Sequence, residues 1–532
     1  MNNKLIGVTS ATSAIAVSLF LCDFAIAEDY YRATKGYRVE PTTDTPLYVR
    51  NLSKTQFEQF RNIEWLDVGL DHRTRYEYRE NDLRPWTDTS SGIAASKYRD
   101  EPDNLWLLRT RAYIGIKDIL DPLRFAVEFQ DSRSYNGNYE RSDSDVNEFE
   151  LIQGYGELYF DNALGHNRPI SLRAGRQHFE LLDRRLIASN EFRNTTNNFE
   201  GYRLHFGKKQ NNWDLDTFAL QPVERLKYDF DQPDERTWFY GAVFSWRQWS
   251  DLITIQPYFF GRSTDGDPYN IANLQAQKIV YDREIYSPGL RVYGLFGDSG
   301  FDFDADITKQ FGRYGTRDPG NAAHLVNGKQ VKVKDDSGVT RTLREQKQLQ
   351  HDALAYSLEV GYTFDHDWKP RLSAFYGYGT GDKSSTDGVN QRFDAFYGFN
   401  QPWSRNDYFS WDNIHAPKIR LEFTPYQDVR LDMGLNAYWL ESETGGWNRG
   451  GLTDATGQKG SFIGHEFDIR LRHKLNPYVD WTMSYARFTP GDYTERFDQG
   501  NTATGPFTSE AGNFFYFEVN LNAFGDGKPK YK

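Results

Sequence analysis

Cysteine is all but missing: one occurs in 532 residues, Cys22, and methionine is hardly commoner at three. Histidine is sparse at ten, and the chain holds no G-x-S-x-G, P-loop or H-E-x-x-H motif, so no catalytic nucleophile, phosphate cradle or zinc-protease site is nominated. Long apolar runs are also lacking. Hydrophobic residues make up 38% and mean hydropathy is −0.75, which excludes a bundle of membrane helices. A basic surplus is absent too: 63 Lys and Arg stand against 75 Asp and Glu, a formal charge of −12. That balance argues against a nucleic-acid partner, because phosphate neutralisation needs excess positive charge. Aromatics, by contrast, abound. With 13 Trp, 34 Tyr and 38 Phe, the composition is the reverse of an intrinsically disordered chain.

The opening residues read as an export signal. Met1 to Lys4 supply a positive start, Leu5 to Leu21 an apolar core, and Ala25-Ile26-Ala27 an A-x-A cleavage site before Glu28. Residues 1–27 are therefore expected to be removed. Leu21, ahead of Cys22, is larger than lipoprotein processing tolerates, so lipidation is not expected. The remaining chain carries no cysteine, and an exported protein without disulfides must find stability elsewhere; a closed sheet is one way.

One pattern then recurs along the chain. From Glu466 to Leu475, Phe467, Ile469, Leu471 and Leu475 fall on one parity, and Glu466, Asp468, Arg470, Arg472 and Lys474 on the other. Side chains alternate across a strand, so this segment has one greasy and one densely charged face. The split returns at Phe301, Phe303, Ala305 and Ile307 against Asp302, Asp304, Asp306 and Thr308, and again from Leu123 to Gln130, from Asp428 to Trp439 and from Phe515 to Asn522. About 18 such segments occur, each roughly the 9 to 11 residues of a tilted membrane strand. Their connections alternate in length: Asn476 to Tyr478, Pro425 to Gln427 and Gly207 to Asn212 are short, whereas Gly312 to Asp352 and Gly381 to Ala416 are long. Tight turns at one rim and long loops at the other describe a transmembrane antiparallel up-and-down β-barrel of all-β class. Soluble propellers and sandwiches lack both the two-solvent faces and this alternation of connections. The expected layout is a barrel over 63–524, an extension over 28–62 that either tucks into the lumen or runs into the periplasm, and a basic tail over 525–532.

Gly175 to Phe206 reads GRQHFELLDRRLIASNEFRNTTNNFEGYRLHF: an Arg-bearing strand end, a loop with paired arginines, an N-E-F-R-N segment and F-E-G-Y-R-L entering the next strand. This stretch resembles the signature of the alginate export family of Gram-negative outer-membrane porins. The resemblance implies an 18-stranded monomeric barrel that passes a polyanionic uronate polymer through an arginine-lined constriction. Two features depart from the family. Its members carry a long periplasmic loop near the C-terminal strands where Asn476 to Tyr478 is tight here, and this chain ends in a basic tail instead of an aromatic, although Phe524 can close the final strand.

The polar parity carries many arginines, and arginine presents a planar, permanently charged fork that matches carboxylates. Arg75, Arg109, Arg111, Arg173, Arg203, Arg470 and Arg472 are the expected solute-path residues. The same faces carry as many Asp and Glu residues, which would pair with them and brace the wall. Both readings stay open. Asp302, Asp304 and Asp306 have the spacing that starts a calcium loop, yet no Gly follows at the sixth position and no Glu at the twelfth, so same-face placement explains them better. The expected function is passive passage of an anionic polysaccharide or small anionic solute, without catalysis, cofactor or metal. Outer-membrane lipid and lipopolysaccharide are the expected surroundings, and periplasmic export proteins are candidate partners. Rival readings are a general or substrate-specific uptake porin, a barrel enzyme, and a surface adhesin.

Overall fold

A strand with apolar and charged faces needs two solvents, and closing the sheet supplies them. The computed structural model describes residues 45–88, 95–99, 101–266, 281–317, 325–326, 329–330, 332–334, 340–342, 346–498, 507 and 509–525. The expected leader (1–27), the first part of the extension and nearly all of the tail lie outside the described residues.

Eighteen strands form the wall: β1 Leu66–Glu80, β2 Asp103–Leu120, β3 Leu123–Asn136, β4 Asn147–Phe160, β5 Ile170–Gln177, β6 Phe199–Phe206, β7 Trp213–Glu224, β8 Thr237–Trp246 and β9 Ile253–Thr264. They continue as β10 Arg283–Leu295, β11 Phe301–Arg317, β12 Gln346–Thr363, β13 Arg371–Gly379, β14 Ile414–Tyr426, β15 Val429–Trp439, β16 Phe462–Asn476, β17 Val479–Pro490 and β18 Gly512–Asn522. Each pairs antiparallel with its neighbours in sequence. β18 returns to β1, from Asp71↔Asn522 to Glu80↔Asn513, so the barrel is closed and its wall has no free edge.

Burial is inverted relative to a soluble protein. Ile114, Phe125, Ile307, Leu358, Ile419 and Leu435 are exposed on the outside, whereas Glu128, Asp302, Arg371, Asp432, Glu466 and Asp468 are buried on the inside. Water would penalise that outer face, and a lipid bilayer removes the penalty. Aromatics mark the rims: Trp106 and Trp238 at the long-loop end, Trp249, Trp368, Phe296 and Tyr426 near the tight turns, all exposed. The protein is an outer-membrane barrel, its tight turns at the periplasmic rim. The described tight turns are as short as Gln427-Asp428 and Pro477-Tyr478.

The wall differs from the sequence expectation at its outer rim. β11 and β12 stay paired as far as Arg317↔Gln346, well into the stretch read as a loop from Gly312 to Asp352. Above the bilayer both faces meet water, so alternation disappears from the sequence while backbone pairing continues.

Candidate functional site: the lumen and its inward loops

Two outer loops leave the wall and fold inward. The first, residues 178–198, springs from β5 and β6, which are only eight residues long. There Gly175 and Gly201 face each other at φ +126° and +146°, and a Cβ would sit 2.4 Å from the Gly154 carbonyl or 2.5 Å from that of Ala219. Only glycine fits so close an approach. The second inward loop, residues 380–413, connects β13 and β14.

Wall arginines hold the first loop by its backbone. Arg73 donates to the carbonyls of Glu191 and Arg193, each at 2.8 Å. Arg75 donates to the Phe192 carbonyl, and its guanidinium lies 4.3 Å from the Phe192 ring centroid. Asn194 donates to the carbonyls of Leu108 and Asp145 at 3.1 and 2.9 Å. The second loop is held by a buried carboxylate: Glu466 accepts from Ser404 Oγ (2.6 Å), the Arg405 amide (2.8 Å) and Asn406 Nδ2 (2.8 Å). Burial and repulsion from Arg470 push the Arg405 guanidinium of this loop down to about 10.

The loops also grip each other. The Ala188 amide donates to the Tyr397 carbonyl at 3.1 Å, the Tyr397 amide to Leu186 at 3.0 Å, and the Phe399 amide to Arg184 at 2.8 Å. Together they form a septum across the lumen, with a cavity of about 860 Å³ below and one of about 490 Å³ above that share no lining residue. Along the septum, Gly398 and Asn400 border the upper cavity, Phe399 and Gln401 the lower.

The lower cavity opposes the charge of the chain. Fifteen Lys and Arg residues line it against ten Asp and Glu, a positive surplus in a protein of net charge −12. A low-dielectric tube concentrates the field of such a surplus.

Of the seven arginines expected along the solute path, Arg109, Arg111, Arg203, Arg470 and Arg472 border this cavity. Arg109 and Arg111 face the Glu191 carboxylate at 3.3 and 2.9 Å. Burial alone would raise that carboxyl, but Arg111 and Arg109 outweigh it and hold it below the usual carboxylate range. Arg203 is a close partner of Asp216, and Arg470 and Arg472 converge on Asp432 Oδ1 at 3.0 and 2.9 Å. Arg75 lies under Phe192, fully buried, and Arg173 pairs with Glu157 at 3.2 Å beneath the Tyr155 ring. Neither borders the cavity. Arg371, enclosed by Asp302, Glu359 and Glu422 at 2.6, 2.8 and 3.1 Å, is a wall brace. Asp302, Asp304 and Asp306 each have a separate partner, namely Arg371, Arg291 and Tyr258.

Arg291, Arg247 and Arg405 also border the cavity and were not singled out from the sequence. Arg291 sits opposite Asp306 on the inner parity of β10, where the same alternation rule finds it. Arg405 lies in a loop, where no periodicity points inward.

The N-terminal segment reaches the periplasmic mouth. Arg50 and Asn51 pair with Val68 and Asp67, continuing the seam where β18 stops at Asp71. Just before them, Thr45 to Tyr48 line the vestibule. Tyr48 donates to Glu128 Oε1 at 2.5 Å and packs with Val49 against Tyr113, Ala126 and Tyr155.

A family model described as "Alginate export" matches residues 64–504. No curated protein matches the chain. Among solved structures, Acinetobacter baumannii OccAB1 is similar at a TM-score of 0.52 and 12% identity, with 89% of this chain and 99% of that one covered. Pseudomonas aeruginosa OpdQ is similar at a TM-score of 0.49 and 11% identity, over 86% and 97%.

Proposed function

The chain belongs to the alginate export family, and from that premise we propose that its outer-membrane barrel conducts a carboxylated polysaccharide, an alginate-like uronate polymer, passively and as a channel, not a catalyst. The observation that carries this reading is the positive vestibule, fifteen basic against ten acidic side chains. Arg109 and Arg111 sit on its wall engaged to the partly exposed Glu191, a carboxylate they can exchange for a solute one, while Arg203, Arg470 and Arg472 stay paired with the buried Asp216 and Asp432 and add to the field. Several moderate sites suit a polymer that must also leave. Single-channel recording of the purified protein tests the reading: uronate oligomers should block the current and neutral oligosaccharides should not. Equal block by both, or none by either, overturns it.

The septum favours a second reading, a porin for small anionic solutes, because a polymer passes only if the two inward loops separate. Proteoliposome swelling with uronate monomers but not with longer oligomers would select it.

A further inference from the structure

Above the septum, Arg193 and Asn400 border the 490 Å³ cavity without the partners that other lumen side chains have. The Arg193 guanidinium makes no hydrogen bond and no ion pair among the described residues, although its own carbonyl is held by Arg73 and Arg109. Desolvation, aided by repulsion from Arg225, holds it below the ordinary guanidinium range despite the longer-range pull of Asp407. The Asn400 side chain, nine-tenths buried, likewise makes no hydrogen bond among the described residues. Arg193 is half-buried, and neither its guanidinium nor the Asn400 amide is sealed from solvent, so both present open donors to the cavity. The neighbouring cations do not share this state: Arg225 donates to Asn197 Oδ1 at 2.6 Å, and Arg392 pairs with Asp412 at 2.6 Å. Phe396 and Tyr397 supply apolar wall, and the volume lies in the range of small-ligand sites.

We propose that this upper cavity is a binding site for one acidic sugar unit, with Arg193 taking the carboxylate and Asn400 a ring hydroxyl. It is separate from the basic vestibule, on the opposite face of the septum, and the choice of an acidic sugar rests on the channel reading above. A guanidinium fork meets a carboxylate by two parallel hydrogen bonds, the amide reads an adjacent hydroxyl, and the aromatic wall covers the sugar's apolar face. The site thereby holds a unit at the outer side of the septum.

Equilibrium dialysis of the detergent-solubilised full chain with a uronate disaccharide, and with its carboxyl-reduced neutral counterpart, tests the site. Wild type should bind the acidic probe and not the neutral one. R193Q should weaken acidic binding roughly tenfold to a hundredfold, the range of a charge-assisted hydrogen bond, and R193K should restore part of it. N400A should weaken it by a smaller factor. Heat-modifiable gel migration reports whether each variant is folded; the Arg193 carbonyl that anchors the loop survives its substitutions. Unchanged binding by folded R193Q, or equal binding of both probes by wild type, overturns the site. Parallel conductance separates the two claims: uronate block of wild type with R193Q-insensitive binding leaves the channel reading standing and the site refuted. Arg193-dependent binding without block does the reverse.

Discussion

Tyr48 lies so close over Gly69 that a Cβ on Gly69 would come within 2.7 Å of its ring. The glycine is the seat of the N-terminal segment, and the phenol reaches past it to Glu128. Gly69→Val should unseat Tyr48 without opening the wall, because the β1–β2 pairing at Gly69↔Tyr113 is backbone. Single-channel conductance should rise, and Tyr48→Ala should reproduce the rise. Conductance identical to wild type in both variants would show that the segment does not narrow the mouth.

Arg470 and Arg472 both end on Asp432, which Arg420 also contacts at 3.3 Å. Replacing the pair with alanine therefore removes two positive charges from the vestibule while Asp432 stays compensated. The anion-to-cation permeability ratio in planar bilayers should fall by a factor of about two or more, as expected for a field of a few kT. An unmoved reversal potential would count against these two residues.

Glu191→Gln should act in the opposite direction. Its side chain is 42% exposed to the lumen, so it tethers the loop at small energetic benefit while neutralising Arg109 and Arg111. Losing the charge should raise anion permeability and increase open-channel noise as the first inward loop loosens. A quieter, less anion-selective channel would contradict this account.

Arg371 is held by three carboxylates, two of them almost fully buried. Removing it strands those charges, and breaking a buried pair costs about 3–5 kcal/mol. Arg371→Ala should lower the urea midpoint of unfolding in lipid vesicles accordingly, with ion selectivity little changed. A selectivity defect at wild-type stability would make it a path residue instead.

The outer loops carry an acid-sensitive clasp. Asp82 accepts from Arg84 at 2.9 Å and pairs with Arg99 at 3.1 Å, and Asp407 pairs with Arg84 at 3.1 Å and also with Arg449. Burial would raise both carboxyls, but the arginines outweigh it, Arg84 and Arg99 around Asp82 and chiefly Arg449 and Arg84 around Asp407; both carboxyls lie below the usual range. Groups lowered in the folded state contribute fully above their unfolded value near pH 4 and lose that contribution as pH falls through the folded one. Hydrogen exchange in residues 440–461, corrected for intrinsic rates, should be flat from pH 5 to 8 and accelerate only in stronger acid. Acceleration between pH 5 and 7 would refute the clasp.

The alternation from Glu466 to Leu475 was legible because lipid and lumen impose opposite demands on adjacent residues of one strand. At Gly312 to Arg317 that contrast is lost above the bilayer, and the strand was invisible there. Arg75 and Arg472 look alike in the sequence, both on the inner parity. One is covered by Phe192 and the other borders the vestibule, a difference set by a loop more than a hundred residues from each along the chain. Arg193 stands inside the N-E-F-R-N segment that carried the family resemblance, yet nothing in those letters says that its guanidinium has no partner among the described residues.

Strand number, closure and the membrane were determined by the sequence itself, since a period of two is a local property that each segment states on its own. The septum, the positive vestibule and the open guanidinium above it were decided only by tertiary structure. They depend on where irregular loops come to rest, and an irregular backbone has no period from which its contacts across the lumen could be read.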